Sequence, residues 1–72
     1  MKYNWTGDLN DDCTARSENL ILRAEAMDDD AWWWCLYVDN SEVASSHDFG
    51  EPSNGKDARF AAEKAAALYL AE

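Results

Sequence analysis

Ala31-Trp32-Trp33-Trp34-Cys35-Leu36-Tyr37-Val38-Asp39 carries three of the four tryptophans of a 72-residue chain in consecutive positions. Read as a strand, whose side chains alternate between faces, it sets Trp32, Trp34, Leu36 and Val38 on one side and Trp33, Cys35, Tyr37 and Asp39 on the other. The first set is continuously apolar, which predicts a strand pressed against a core. Asp28-Asp29-Asp30, just upstream, reads as a tight acidic turn. Before it, residues 19–27 alternate again, with Leu20, Leu22, Ala24 and Ala26 on one face and Ile21, Arg23, Glu25 and Met27 on the other. The two runs predict an antiparallel hairpin.

Further upstream, Lys2 to Thr6 places Tyr3 and Trp5 on one face and predicts a short first strand at a sheet edge. Gly7 to Asp12 is turn chemistry, because Asp and Asn bond their own backbone and Gly tolerates positive φ. Residues 13–18 show no clear period and read as the rest of a long loop, with room for a helical turn. Downstream, Asp39-Asn40-Ser41 predicts a turn and 42–46 a short outer strand with Val43 inward. Residues 46–55 hold the only proline and read as a loop. Ser53 or Asn54 then caps an alanine-rich helix over 56–71 that contains no breaker. At about 100° per residue, Ala58, Ala61, Ala62, Ala65, Leu68 and Tyr69 share a face small enough to lie close on the tryptophan sheet. Phe60, Ala67 and Ala71 fall opposite. The expected fold is α+β in a single domain, 1–72: an antiparallel β-meander of three to four strands with one C-terminal α-helix packed on one face.

So short a chain sits near the limit at which a hydrophobic core alone sustains a fold. Its four Trp, three Tyr and two Phe answer that need, each burying roughly 150–250 Å². A hydrophobic share of 47% with 29% charged residues is a globular balance, despite a negative mean hydropathy. Charge is the outlier. Fifteen Asp and Glu against six Lys and Arg give a net charge of -9. That disfavours direct binding to nucleic acid or an anionic membrane, where affinity comes from cations neutralising phosphates, and favours a basic partner. Acidity serving solubility alone is the competing explanation. Lys2-Tyr3-Asn4-Trp5 forms no apolar signal core, and no run approaches the roughly 20 apolar residues of a membrane span, so a cytoplasmic chain is expected. Cys13 and Cys35 are too few for a zinc framework; a single disulfide is geometrically open, and buried reduced thiols suit a cytosolic chain.

No catalytic constellation stands out, and a non-enzymatic protein is expected. His47 is the only histidine and lies in a loop beside Asp48, where sequence neighbours rarely converge as nucleophile, base and orienter. Neither a Gly-x-Ser-x-Gly elbow nor a glycine-rich phosphate loop is present. Asp8, Asn10 and Asp12 match the first alternate ligands of a calcium loop, but the glycine and the bidentate glutamate that such a loop needs are Cys13 and Asn19. No metal or cofactor is expected.

Glu42-Val43-Ala44, the loop from Gly50 to Gly55 and the helix Lys56-Asp57-Ala58-Arg59-Phe60-Ala61-Ala62-Glu63-Lys64-Ala65 are similar to the closing half of a double-stranded-RNA-binding domain. That resemblance spans about thirty residues in strand, glycine loop and Ala-Ala helix order. The family clusters lysines at the helix N-terminus to grip phosphates. Here Lys56 is followed by Asp57, with Asp48 and Glu51 nearby, so the resemblance implies shape without RNA binding.

The acid itself is grouped. Asp8, Asp11 and Asp12 share a loop, Asp28, Asp29 and Asp30 a hairpin tip, and Asp39 and Glu42 a turn, with Glu18 and Glu25 placed to join along an edge. The first loop and the Asp39 turn are expected at one end of the sheet and the triple Asp at the other. Lines of carboxylates imitate a nucleic-acid backbone, which in duplex DNA carries one charge per roughly 1.7 Å of axis. In size, charge and compact α+β build the chain resembles phage-encoded anti-CRISPR and anti-defence proteins of the DNA-mimic type, a resemblance of type that no shared motif carries. It implies a monomeric inhibitor that occupies the basic groove of a nucleic-acid-binding protein, such as a CRISPR effector subunit. Trp33 and Phe60 would then serve as apolar anchors. One helix cannot cover both sheet faces, so Trp33 is either such an anchor or is covered by the upstream loop with Tyr3, Trp5 and Leu9, the preferred reading. The alternative function is a small phage or mobile-element accessory protein that binds its partner through apolar contacts.

Overall fold

The computed structural model describes residues 3–28, 31–50 and 52–71. Five strands form one antiparallel sheet in chain order: β1 (Trp5–Asp8), β2 (Asp12–Ser17), β3 (Leu20–Asp28), β4 (Ala31–Val38) and β5 (Ser41–Ser45). A single helical turn, α1 (Ser46–Phe49), precedes the 17-residue helix α2 (Gly55–Ala71), which packs on β3 and β4. The α+β class and the meander order agree with expectation, but there are five strands rather than three to four.

The additional strand is β2, over residues expected to be loop. Cys13 and Ala15 are buried and alternate with Asp12, Thr14 and Arg16, so a period of two is present, written in small residues of weak strand preference. Neighbours supply what the side chains lack: β2 is paired on both sides, Thr14 facing Thr6 of β1 and Arg23 of β3. The first strand is correspondingly displaced, from the expected 2–6 to Trp5–Asp8. Gly7 within it has a φ of 96°, and a Cβ there would lie 2.8 Å from the Asp12 carbonyl oxygen, so this position requires glycine.

Between sheet and helix, the core is built as the tryptophan run predicts. Trp32, Trp34, Leu36 and Val38 are buried beside Leu20, Leu22 and Ala24 of β3. From α2 come Ala58, Ala62 and Ala66, all fully buried. The contact therefore follows a single ridge at spacings of four rather than the broader expected stripe: Ala66 joins it, while Leu68 and Tyr69 are exposed. Small side chains permit a close approach, and at Gly55 an added Cβ would lie 2.8 Å from the Trp32 ring. Asn54 caps α2 as expected, its Oδ1 accepting the Asp57 N–H at 2.8 Å.

β5 departs from expectation in one respect. Leu36 pairs with Ala44 but Tyr37 pairs with Glu42, so Val43 is the extra residue of a bulge and is 45% exposed rather than inward. The segment after β5, expected to be loop throughout, begins with α1, where the Ser45 hydroxyl accepts the His47 N–H at 3.2 Å. Among the described residues no helix is long and apolar enough to cross a membrane. Cys13 lies on the helix side of the sheet and Cys35 on the opposite side; both are free and buried, and the sheet between them rules out a bridge.

Candidate interaction face

Counting strands fixes which turns share an end. Successive hairpins alternate ends, so the β1–β2 loop after Asp8 lies with the β3–β4 connection, where Asp28 pairs with Ala31. The Ala26 N–H donates to the Asp11 carbonyl at 2.6 Å and ties the two together. At the other end the Asp39 N–H donates to the Asn19 carbonyl at 3.1 Å, and the Asn19 amide reaches Asp39 Oδ1 at 3.2 Å. The expected grouping is thus corrected: Asp8, Asp11 and Asp12 share an end with Asp28, while Asp39 and Glu42 lie at the opposite end with Glu18. The unrecognised β2 is the cause, since one more strand inverts the parity of every later turn. Asp29 and Asp30 lie outside the described residues.

Cover of the Trp33 face is also corrected. Trp5 pairs with Ala15 on the helix side, and its indole N–H donates to Glu63 Oε2 at 2.7 Å. Tyr3 joins the core, and the Leu9 carbonyl accepts from Arg59 of α2 at 3.0 Å. The upstream segment is therefore bound to the helix side. Trp33 is half-buried on the face opposite α2, with the Arg23 guanidinium 5.8 Å from its ring centroid.

Cross-strand register sorts that open face into rows. Asp8, Asp12, Glu25 and Trp33 are successive partners on β1, β2, β3 and β4. Three carboxylates thus stand side by side at the strand spacing of about 4.8 Å, with an indole at the end of the row. The next row is Thr6, Thr14, Arg23, Cys35 and Ser45, and the third holds Arg16, Ile21, Tyr37 and Glu42. Directly opposed like charges destabilise a sheet. The relief visible is one long contact, Arg23 Nη2 to Asp12 Oδ1 at 3.5 Å, between exposed side chains. Asp8 is held by its own turn, Oδ1 accepting the Asn10 N–H at 2.9 Å. Among the described residues, no three carboxylate, thiol or imidazole groups are close enough together to hold a metal ion.

Cys35, in the middle row on the face opposite α2, is fully buried beside its buried partner Ser45. Burial pushes its thiol from 9.0 up to about 11, tempered by a hydrogen bond with Tyr37. Phe60, 66% exposed, projects from α2 and so lies on the far side of the molecule from Trp33. The expected contact residues therefore divide three ways: an acidic end with Trp33, a second acidic end at Asp39 and Glu42, and Phe60 on the helix. His47 is exposed on α1. Arg23 stands on the open face, opposite Leu20 and Leu22, as the alternation of 19–27 predicts; Arg16 joins it there unanticipated, although Asp12, Thr14 and Arg16 alternate with Cys13 and Ala15.

No family model, curated protein or solved structure matches this chain.

Proposed function

We propose that this chain is an acidic binding module without catalytic chemistry, which docks through the open sheet face and its acidic end onto a basic surface. More particularly, it is an inhibitor that occupies the nucleic-acid groove of its partner by imitating a phosphate backbone. The observation that supports this reading is the row Asp8–Asp12–Glu25. Three carboxylates directly opposed across three strands work against the sheet that holds them, and such an arrangement is accounted for by a cationic surface that binds them. Asp11, in the loop between β1 and β2, extends the charge at the same end, and Trp33 offers a flat apolar contact beside it. Taken with the resemblance of type to anti-CRISPR proteins, the partner is a DNA-recognising subunit of a CRISPR surveillance complex.

The test is capture of such a subunit from a host expressing the system, followed by affinity measurement over a range of salt. Binding should weaken steeply with ionic strength, compete with DNA, and fall at least about tenfold in the double variant Asp8→Lys, Asp12→Lys. The alternative reading, a partner held by apolar contacts, draws on the exposure of Phe60, Leu68 and Leu70 along α2. Salt-insensitive binding that is lost in Phe60→Ala selects it instead.

A further inference from the structure

Arg23 of β3 reaches diagonally into the acidic row beside it. Its Cζ lies 5.8 Å from the centroid of the Trp33 ring, and its Nη2 lies 3.5 Å from Asp12 Oδ1. Glu25 stands between those two partners, as the cross-strand neighbour of both Asp12 and Trp33. One guanidinium thus spans the row, with an indole on one flank and a carboxylate on the other. Both contacts are at the outer edge of their kind. Cation–π attraction extends to about 6 Å from a ring centroid, and a guanidinium–carboxylate hydrogen bond closes to about 2.7–2.9 Å. The shortfall has a geometric cause: Arg23 is rooted opposite Thr14 and Cys35, one ladder row away from Asp12, Glu25 and Trp33. Its side chain is 37% exposed and that of Asp12 45%, so the contact is open to an incoming group. Three carboxylates, Asp8, Asp12 and Glu25, against this one guanidinium leave the row with an excess of two negative charges.

We propose that Asp12, Glu25 and Trp33 form an arginine-recognition site, in which Arg23 holds the place of a guanidinium from the basic partner and yields to it on docking. The site rests on the proposed docking of this face onto a basic surface, and adds to it the residue type that is read and the side chain that regulates access. Charge complementarity sets the sign of the occupant, and the ring sets its shape. A planar, weakly hydrated guanidinium stacks on an indole and offers a fork of N–H donors to a carboxylate, whereas a lysine ammonium is a compact, strongly hydrated charge. An arginine carried on another chain is not tied to β3, so it can lie over Trp33 and close on Asp12 or Glu25 at full hydrogen-bonding distance. Once displaced, Arg23 keeps its stem on the sheet and its charge in water. Exposed ion pairs contribute little to stability, so this release costs little.

The experiment uses the full chain at low salt and a capped peptide of alternating glycine and arginine, with its glycine–lysine counterpart as control. Binding is followed through the amide resonances of Asp12 and Glu25, the Trp33 indole N–H and the Arg23 Nε–H. Saturable shifts are expected at these positions, at no more than about one third of the concentration that the lysine peptide needs. Arg23→Gln, which keeps much of the stem and removes the guanidinium, should lower the urea midpoint slightly and tighten arginine-peptide binding about threefold. Arg23→Lys, which keeps the charge, should tighten it less. A side chain serving the fold alone would leave affinity unchanged or lower in both variants. Equal affinity for the two peptides, or wild-type or weaker arginine-peptide binding in both variants, overturns the proposal and leaves the acidic face standing as a general cation surface. If neither peptide moves the resonances of the row, docking of this face onto a basic surface fails too.

Discussion

Glu18 adopts a φ of 55°, a left-handed conformation that a Cβ-bearing residue outside the Asn and Asp group rarely takes. It stands in the two-residue turn between Ser17 and Leu20, where a hairpin of ordinary twist demands positive φ. Relief of the Cβ conflict outweighs the larger entropy loss of glycine, so Glu18→Gly should stabilise the chain by about 0.5–1 kcal/mol, read as a higher urea midpoint at unchanged slope. Cys35 makes a second claim at this scale. Its thiol is raised from 9.0 to about 11 in the folded chain, so the neutral form contributes stability that is fully present below pH 9 and is lost as pH climbs through 11. Tyr3, raised from 10.0 by burial, acts in the same direction. The urea midpoint should therefore fall between pH 9 and 11 and fall less in Cys35→Ala; a midpoint that rises over this window contradicts the assignment. At neutral pH both thiols should resist alkylation until the chain unfolds.

At the scale of elements, close contact between α2 and the sheet rests on side chains that are nearly absent. Ala58, Ala62 and Ala66 meet Leu22, Ala24, Trp34 and Leu36 with no exposed surface left on the alanines. Ala62→Leu should consequently lift the helix and cost about 1–3 kcal/mol by overpacking, measured by denaturant unfolding, whereas a neutral result would mean a loosely seated helix. β3, β4 and α2 were legible in the sequence because their apolar periods are long and carried by large or strongly helical residues. β2 was not, because Cys13 and Ala15 are small and Arg16 and Ser17 have little strand preference; its pairing on both sides decided the matter. Val43 was misplaced for a related reason, since a bulge shifts register by one residue and no local signal marks it. The site inherited the same gap. That acid gathers in the turns around the tryptophan strand is legible in the sequence, but which acids stand in a row, and that Arg16 and Arg23 share a hollow, depend on the register of β2, which the sequence does not mark.

The whole molecule carries a net charge of -9 on a body whose Cα atoms have a radius of gyration of 11.1 Å, so repulsion among carboxylates acts against the compact state. Added monovalent salt should accordingly raise the melting temperature before any partner is present. The row Asp8–Asp12–Glu25 sharpens this into a test that separates structural from functional roles. If the carboxylates served the fold, removing their charge would weaken it. If they are held in opposition for a partner, Asp8→Asn and Glu25→Gln should each stabilise the free chain, by about 0.2–1 kcal/mol, and each weaken capture by the basic partner. Asn at position 8 can still accept the Asn10 N–H, so the turn is preserved and the change isolates charge. Asp12→Asn should gain less, because it also gives up the opposite charge that faces Arg23. Thermal unfolding of the three variants at low and high salt decides the point: a stability gain that vanishes at high salt, beside a loss of binding at low salt, is the outcome expected of a charge row shaped by what it binds. Destabilisation in both charge-neutral variants at either salt would return the row to a structural role and remove the main support for mimicry.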